Sequence, residues 1–352
     1  MSQFLPLTIK AIQPQTEQAI CIAFDVTPEI AETFEYQPGQ HLTIRHMTDK
    51  GEIRRCYSIC SDVQEDMSIA IKKIDQGQFS TWANEHLKVG QTLEVMPPQG
   101  VFFQKAAKAG GQNYLSFAAG SGITPILSIV KTVLSTQPDA NFTLVYGNRS
   151  WQQTMFSEQI MDLKDRFRTR LQLVNIFSRE LSESDLFNGR IDADKLQQLF
   201  DAQLISADVD HCFACGPEEM MEAVETVLPK LGIDRKNIHT ERFHTGTVNK
   251  PTAQQIEKRS EERVNIILDG RELIIEVSKQ DDSILEAALN AGADLPYACK
   301  GGVCATCKCK VIDGEVNMAV NYSLEQEELD KGYVLSCQSL PVSPNVRLSF
   351  DA

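Results

Sequence analysis

Four cysteines place the tightest constraint on how this chain can fold. Cys299, Cys304 and Cys307 form a C-x4-C-x2-C run, and Cys337 follows after a further 29 residues. This is the plant-type spacing for four thiolates holding one [2Fe–2S] cluster, and it differs from the bacterial pattern. In Cys299-Lys-Gly-Gly-Val-Cys304, two glycines let the backbone turn tightly and aim N–H groups at the sulfurs, offsetting the negative charge of thiolates and sulfides. The main competitor is structural zinc, which usually takes paired C-x2-C knuckles; buried unligated thiols are the other alternative. Cys309 is two residues past Cys307, where an extended chain turns it to the opposite face, so it reads as a structural thiol.

The compartment matters to that reading. Met1-Ser-Gln-Phe-Leu-Pro lacks a basic segment followed by an apolar stretch, so no secretory signal directs the chain to an oxidising compartment, and a cytoplasmic location is expected. There, ten cysteines serve as metal ligands, catalytic groups or core thiols rather than disulfides. Apolar runs such as Val264–Leu268 and Ile123–Val130 are too short to span a bilayer. A net charge of −14 argues against nucleic acid and anionic membranes as partners and leaves room for a basic docking partner.

At 352 residues the chain is long enough for two to three domains, and its patterning changes three times. Over 1–103, short β-rich runs are punctuated by Pro38-Gly39, Asp49-Lys-Gly51 and Pro97-Pro98, which predicts an antiparallel β-barrel or sandwich interrupted by one helix near Phe79–Lys88. Over 104–244, strands at Tyr114–Ala119, Phe142–Tyr146, Leu171–Phe177, His211–Ala214 and Ile238–Phe243 alternate with helices near Ile123–Ser135, Thr154–Phe167, Asp192–Phe200 and Pro217–Leu231. That alternation predicts an α/β, doubly wound parallel sheet. Residues 245–262 are polar and without apolar period, as in a linker. Over 263–352, two strands flank Asp269-Gly270, a strong hairpin signal. Ser283 with Glu286 three residues on is a capping-box pattern, and Gly292 can end the helix.

Three motifs carry binding chemistry. Arg55, Tyr57 and Ser58 offer a cation for a flavin phosphate, an aromatic platform for its ring and a hydroxyl for its polar edge. Such residues are also commonplace in strands. Gly77 and Ser80 sit where a helix N-terminus can hold a phosphate. Gly120, Gly122, Thr124 and Pro125 follow a strand and open a helix, a site for a pyrophosphate, although Pro125 replaces the third glycine of the Rossmann fingerprint. Cys215-Gly216-Pro217 ends another strand at the same carboxyl edge, either as a ligand-binding turn or as a strand-ending turn with a buried thiol. Ser178-Arg179 could bind a 2′-phosphate or be an ordinary solvated loop.

Taken in order, these motifs and the cysteine loop resemble the ferredoxin-NADP reductase superfamily fused to a C-terminal plant-type ferredoxin of α+β, β-grasp fold. Within it, Arg54–Cys60, Leu295–Lys310 and Asn321-Tyr-Ser-Leu-Glu325 are similar to the reductase subunits of bacterial phenylacetyl-CoA 1,2-epoxidases. The resemblance implies FAD in the barrel, NADPH (with NADH possible) in the α/β domain, and the di-iron oxygenase core of such an epoxidase as electron acceptor. It places Arg55 at the FAD phosphates, Tyr57 on the isoalloxazine, Ser58 near flavin N5, and Gly77 and Ser80 by the pyrophosphate. Phe243 then lies at the flavin's nicotinamide-side face and Cys215 close to the nicotinamide, while Ser178 and Arg179 favour NADPH. A flavin is needed because a nicotinamide yields two electrons together and a [2Fe–2S] cluster accepts one at a time. Two rivals stay open: a reductase of the same type serving another oxygenase or a hybrid-cluster protein, and a non-catalytic electron-carrier or redox-sensing module. Arg263–Ala352 carries 14 acidic and 8 basic residues, net −6, so it could dock on a basic patch or simply be solvated.

Overall fold

A computed structural model describes residues 4–49, 51–103, 112–243 and 262–352. The predicted linker lies outside them except for Glu262, which already belongs to a strand. Two compact units divide the chain, the larger spanning Leu5–Ile53 and Tyr57–Phe243 and the smaller containing the C-terminal 262–352.

The larger unit begins with β1 (Leu5–Thr16), β2 (Ala19–Asp25), β3 (His41–Thr48), β4 (Gly51–Ser58), β5 (Ser68–Lys72) and β6 (Thr92–Val95), in the sheet order β4-β3-β6-β1-β2-β5. The chain just past β4 returns to β5 through an Ile59–Ile69 bridge and a 2.9 Å bond from Cys60 N–H to the Ser68 carbonyl, so the sheet closes into a barrel. Closure removes the exposed edges that would otherwise pair with other chains. Leu7, Ile22, Leu42, Ile44 and Ile71 fill the interior, each contributing about 1.5–3 kcal/mol by burial. Helix α1 (Gln78–His86) packs Phe79 and Ala83 into the same core.

Next come β7 (Asn113–Ala119), β8 (Asn141–Asn148), β9 (Leu171–Phe177), β10 (His211–Cys215) and β11 (Ile238–Glu241), all parallel, in the order β11-β10-β7-β8-β9. Tyr114, Phe142 and Phe213 face α2 (Ile123–Thr136) and α3 (Ser157–Arg166). Leu115, Phe117, Val145 and Ala214 face α4 (Ala193–Asp201) and α5 (Glu218–Val227) on the other side. Burial of both faces explains the unbroken apolar runs of these strands. Two predicted helices are shorter than expected. The one at Thr154 starts only at Ser157, because Phe156 takes a left-handed φ of 59°. The one at Pro217 gives way at Leu228 to a 3-10 turn, because Pro229 has no N–H with which to continue the ladder.

The smaller unit holds β12 (Glu262–Leu268), β13 (Arg271–Val277), β14 (Lys308–Asp313), β15 (Val316–Met318), β16 (Tyr333–Leu335), β17 (Ser339–Pro341) and β18 (Asn345–Ser349). Its main sheet runs β13-β12-β18-β14-β16 with β12 and β18 parallel, and α6 (Ile284–Asn290) packs on it through Ile284, Leu285 and Ala288. Asp269 and Gly270 both take positive φ, 50° and 69°, the backbone a tight hairpin turn requires. Ser283 Oγ caps α6 by accepting from Glu286 N–H, but Glu286 accepts from Asp282 N–H and so closes the predicted box one residue early. Gly292, at φ 84°, ends the helix as expected. Among the described residues no helix is long and apolar enough to cross a membrane.

Candidate functional site

The cysteine loop spans Cys299–Cys307 and is completed by Cys337 from the turn between β16 and β17. Cys304, Cys307 and Cys337 are buried and Cys299 is partly so. Their thiols are paired: Cys299 hydrogen-bonds with Cys304, and Cys307 with Cys337. Gly301 N–H donates to Cys299 Sγ at 3.3 Å, Val303 N–H reaches the same sulfur, and Gly302 N–H reaches Cys337. The backbone therefore bends around the sulfurs with Lys300, Gly302 and Ala305 all at positive φ. Lys300 and Ala305 hold that strained conformation against their side chains. Gln338 braces the loop, its Nε2 donating to the Lys300 carbonyl at 2.9 Å and approaching Cys337 Sγ at 3.7 Å. Cys309 lies in the domain core on β14.

In the barrel, β4 carries Arg55 exposed, Tyr57 partly buried and Ser58 buried. Arg55 and Tyr57 share a face by strand alternation, and Ser58 lies on the other. The Tyr57 ring rests against Phe79 of α1, 5.7 Å between centroids, so the strand and helix fix one another. Gly77 caps α1 without a side-chain bond. A Cβ there would lie 2.4 Å from Ile74 Cγ1 and from Ser80 Oγ, so only glycine fits the turn. Ser80 Oγ accepts from Ile74 N–H and leans on the Gly77 carbonyl, which closes the turn and leaves the helix's first N–H groups for an anion.

The nucleotide motifs meet where the strand order reverses, between β7 and β10, the place where open α/β sheets bind ligands. A Cβ on Gly122 would lie 2.0 Å from the Cys215 carbonyl oxygen, and one on Gly216 would meet Met220 and Ala119. The two turns therefore pack backbone to backbone. Thr124 is buried with its hydroxyl on the Ser121 carbonyl, and Pro125 is buried in the first turn of α2, where a missing N–H costs nothing. Both shape the turn from inside. Pro217 precedes α5 and is exposed. Cys215 is fully enclosed, and burial together with the Glu241 carboxylate pushes its thiol up, which makes it a packing element rather than a nucleophile. At the far end of the same edge, Ser178 and Arg179 are exposed, their N–H groups donating to the Asn148 and Arg149 carbonyls. Phe243 lies just past β11 and is 37% exposed.

Glu241 and Lys72, both close to these turns, escaped the sequence reading. Glu241, paired in register with Cys215, accepts from Ser58 Oγ at 3.1 Å. Burial pushes its carboxyl up to about 7 against the pull of His41 and Ser58, so the group titrates near neutrality. It was visible beside Phe243 in Glu241-Arg-Phe243. Lys72 ends β5 with its Nζ 3.6 Å from where a Gly120 Cβ would stand. Burial and the neighbouring Arg149 lower its pKa, and among the described residues it has no carboxylate partner. A partly buried ammonium facing another cation beside a glycine turn is a ready phosphate contact. A lysine closing the apolar run Ile69-Ala-Ile71 was its only signal.

Three family models match in chain order: an oxidoreductase FAD-binding domain over residues 8–103, an oxidoreductase NAD-binding domain over 117–226 and a 2Fe-2S iron-sulfur cluster binding domain over 266–342. The chain is 49% identical to the E component of 1,2-phenylacetyl-CoA epoxidase from Escherichia coli (strain K12), covering 100% of this chain and 99% of that one. This chain belongs to the phenylacetyl-CoA epoxidase reductase family. It is an NAD(P)H-dependent flavin and iron–sulfur reductase component. It is also 33% identical, over 99% of its length and 97% of the relative's, to the ferredoxin reductase component of 3-ketosteroid-9-alpha-monooxygenase from Rhodococcus rhodochrous. Phthalate dioxygenase reductase shares the fold at a TM-score of 0.61 and 23% identity, over 99% of this chain and 98% of that one. An intact type IV self-sufficient cytochrome P450 monooxygenase does so at 0.71 and 20%, over 98% of this chain and 41% of that much longer one.

Proposed function

We propose that this protein draws electrons from NADPH and delivers them, through FAD and a [2Fe–2S] cluster, to the di-iron oxygenase core of a phenylacetyl-CoA epoxidase in phenylacetate catabolism, working in the cytoplasm. The observation that carries this reading is the full-length 49% identity to the epoxidase's E component. The cofactors supply the chemistry when bound, accepting a pair of electrons and passing them on singly, and the chain supplies position and electrostatics.

The proposed domains are 1–103 for FAD, 104–244 for the nucleotide, 245–262 as linker and 263–352 for the cluster. Cys299, Cys304, Cys307 and Cys337 hold the cluster, with the Gly301–Val303 N–H groups moderating its charge. Arg55 and the N-terminus of α1 at Gly77 and Ser80 bind the FAD phosphates, Tyr57 carries the ring, and Ser58 with Glu241 forms a hydrogen-bonded pair at its edge. Gly120, Gly122 and Lys72 bind the dinucleotide pyrophosphate, in a turn that Thr124 and Pro125 shape from inside. Cys215, Gly216 and Pro217 form the wall by the nicotinamide, and Phe243 covers the flavin. Ser178 and Arg179 select the 2′-phosphate.

The test mixes the purified chain with a phenylacetyl-CoA oxygenase core and follows NADPH-dependent epoxide formation. Anaerobic bleaching of both flavin and iron–sulfur absorption together with product formation supports the assignment. Bleaching and good reduction of artificial acceptors without epoxide would assign another oxygenase as partner. Absence of bleaching would sink the reductase reading altogether.

A further inference from the structure

An exposed tryptophan stands at the carboxyl edge of the nucleotide sheet with no role in the assignments above. Trp151 follows β8 in a short 3-10 turn, and its side chain is 41% exposed. The carboxyl edge of such a sheet is where open α/β folds bind their ligands. The backbone that carries the Trp151 ring is anchored: its main-chain N–H donates to Glu180 Oε2 at 2.7 Å, its carbonyl accepts from Thr154 N–H at 3.0 Å, and the indole meets Phe177 edge-on, 6.5 Å between centroids. Phe177 directly precedes Ser178-Arg179, and Arg179 N–H donates to the Arg149 carbonyl, two residues before Trp151. Arg149 in turn acts on Lys72 beside the Gly120 turn. The Gly120 turn, Arg149, Arg179 and an exposed aromatic plane thus follow one another along a single edge, the kinds of group that a dinucleotide's adenosine half needs.

We propose that the Trp151 indole is the platform on which the adenine of the nicotinamide dinucleotide stacks, with Glu180 fixing that platform by holding its backbone. This rests on the assignment of the edge as the dinucleotide site. It adds a division of labour. Trp151 reads adenine, which NADPH and NADH share, whereas Arg179 reads the 2′-phosphate, which only NADPH has. No bond is made or broken.

The experiment uses the full chain with its cofactors in a Trp82→Phe background, which leaves Trp151 as the one tryptophan. Titration with 2′,5′-ADP should quench the Trp151 emission, and Trp151→Ala should raise KM for NADPH and for NADH by the same factor, about tenfold for one lost base stack, with kcat held. Arg179→Ala should raise KM for NADPH alone. Trp151→Phe should recover most of the loss, which a merely structural defect would not allow. If 2′,5′-ADP binds by calorimetry yet the emission does not change and Trp151→Ala keeps both KM values, the platform is refuted while the nucleotide site stands. If neither 2′,5′-ADP nor 5′-AMP binds, the site assignment itself falls, and the platform with it.

Discussion

The cysteine loop and the sheet-edge site bring their side chains together by opposite means. Three of the four cysteines proposed as cluster ligands lie within nine consecutive residues, and the glycines that shape the backbone lie between them. The nucleotide edge is built from β5, β7, β9, β10 and β11, so Lys72, Gly120, Arg179, Cys215 and Glu241 come together only when the barrel closes and the parallel strands find register. A site made of neighbouring residues depends on local backbone geometry, whereas one made of distant strands depends on packing across the whole unit.

The sharpest way to break this contrast is to remove a cluster thiol. Cys307→Ser should abolish iron–sulfur absorption and one-electron delivery to a protein acceptor while leaving flavin content and direct reduction of flavin-reactive dyes intact. Cys309→Ser should keep the cluster and lose only about 1–3 kcal/mol of stability from a buried hydroxyl, so a colourless Cys309→Ser protein would overturn the ligand set. The next largest effect belongs to the strand crossing. Gly122→Ala forces a methyl to 2.0 Å from the Cys215 carbonyl, and overpacking of that kind should cost about 3 kcal/mol, seen as a lower urea midpoint for the flavin–nucleotide unit with the cluster spectrum unchanged. Lys72→Met removes charge but little volume. It should raise KM for NADPH and NADH alike by about tenfold, the worth of one charge-assisted contact, with kcat preserved in steady-state assays.

The smallest effect concerns Glu241. Its folded-state pKa is raised from 4.5 to about 7, so the folded chain holds a proton that the unfolded chain releases between those values. Stability from this group therefore grows as pH falls from about 7 towards 4.5 and is constant below. Glu241→Gln mimics the protonated form, so urea melts at pH 5 and pH 8 should differ less in the variant than in the parent. An unchanged difference would place the titration elsewhere.

Much of the fold was legible from patterning. Alternation marked the barrel, the strand–helix rhythm marked the doubly wound sheet, and Asp269-Gly270 marked its hairpin. What misled was local backbone chemistry: a left-handed Phe156 delayed one helix, and Pro229 cut another short. In the binding edge the sequence pointed to glycines and to Ser178-Arg179 but passed over Lys72, Glu241 and Trp151. A lysine ending a strand and a glutamate on an edge strand carry no periodic or spacing signal, because their significance lies in what faces them.

By itself the sequence determined that the chain carries a plant-type four-cysteine motif behind a barrel and an α/β domain, since cysteine spacing, glycine placement and hydrophobic period are properties of neighbouring residues. Only the tertiary structure decided that Cys215 is buried rather than an accessible thiol, that Gly122 is there to let two backbones touch, and that Ser58 shares a hydrogen bond with Glu241, 183 positions away. The reason is physical. Burial, close approach and pKa depend on which strands become neighbours, and barrel closure and sheet register settle that after local preference has done its part.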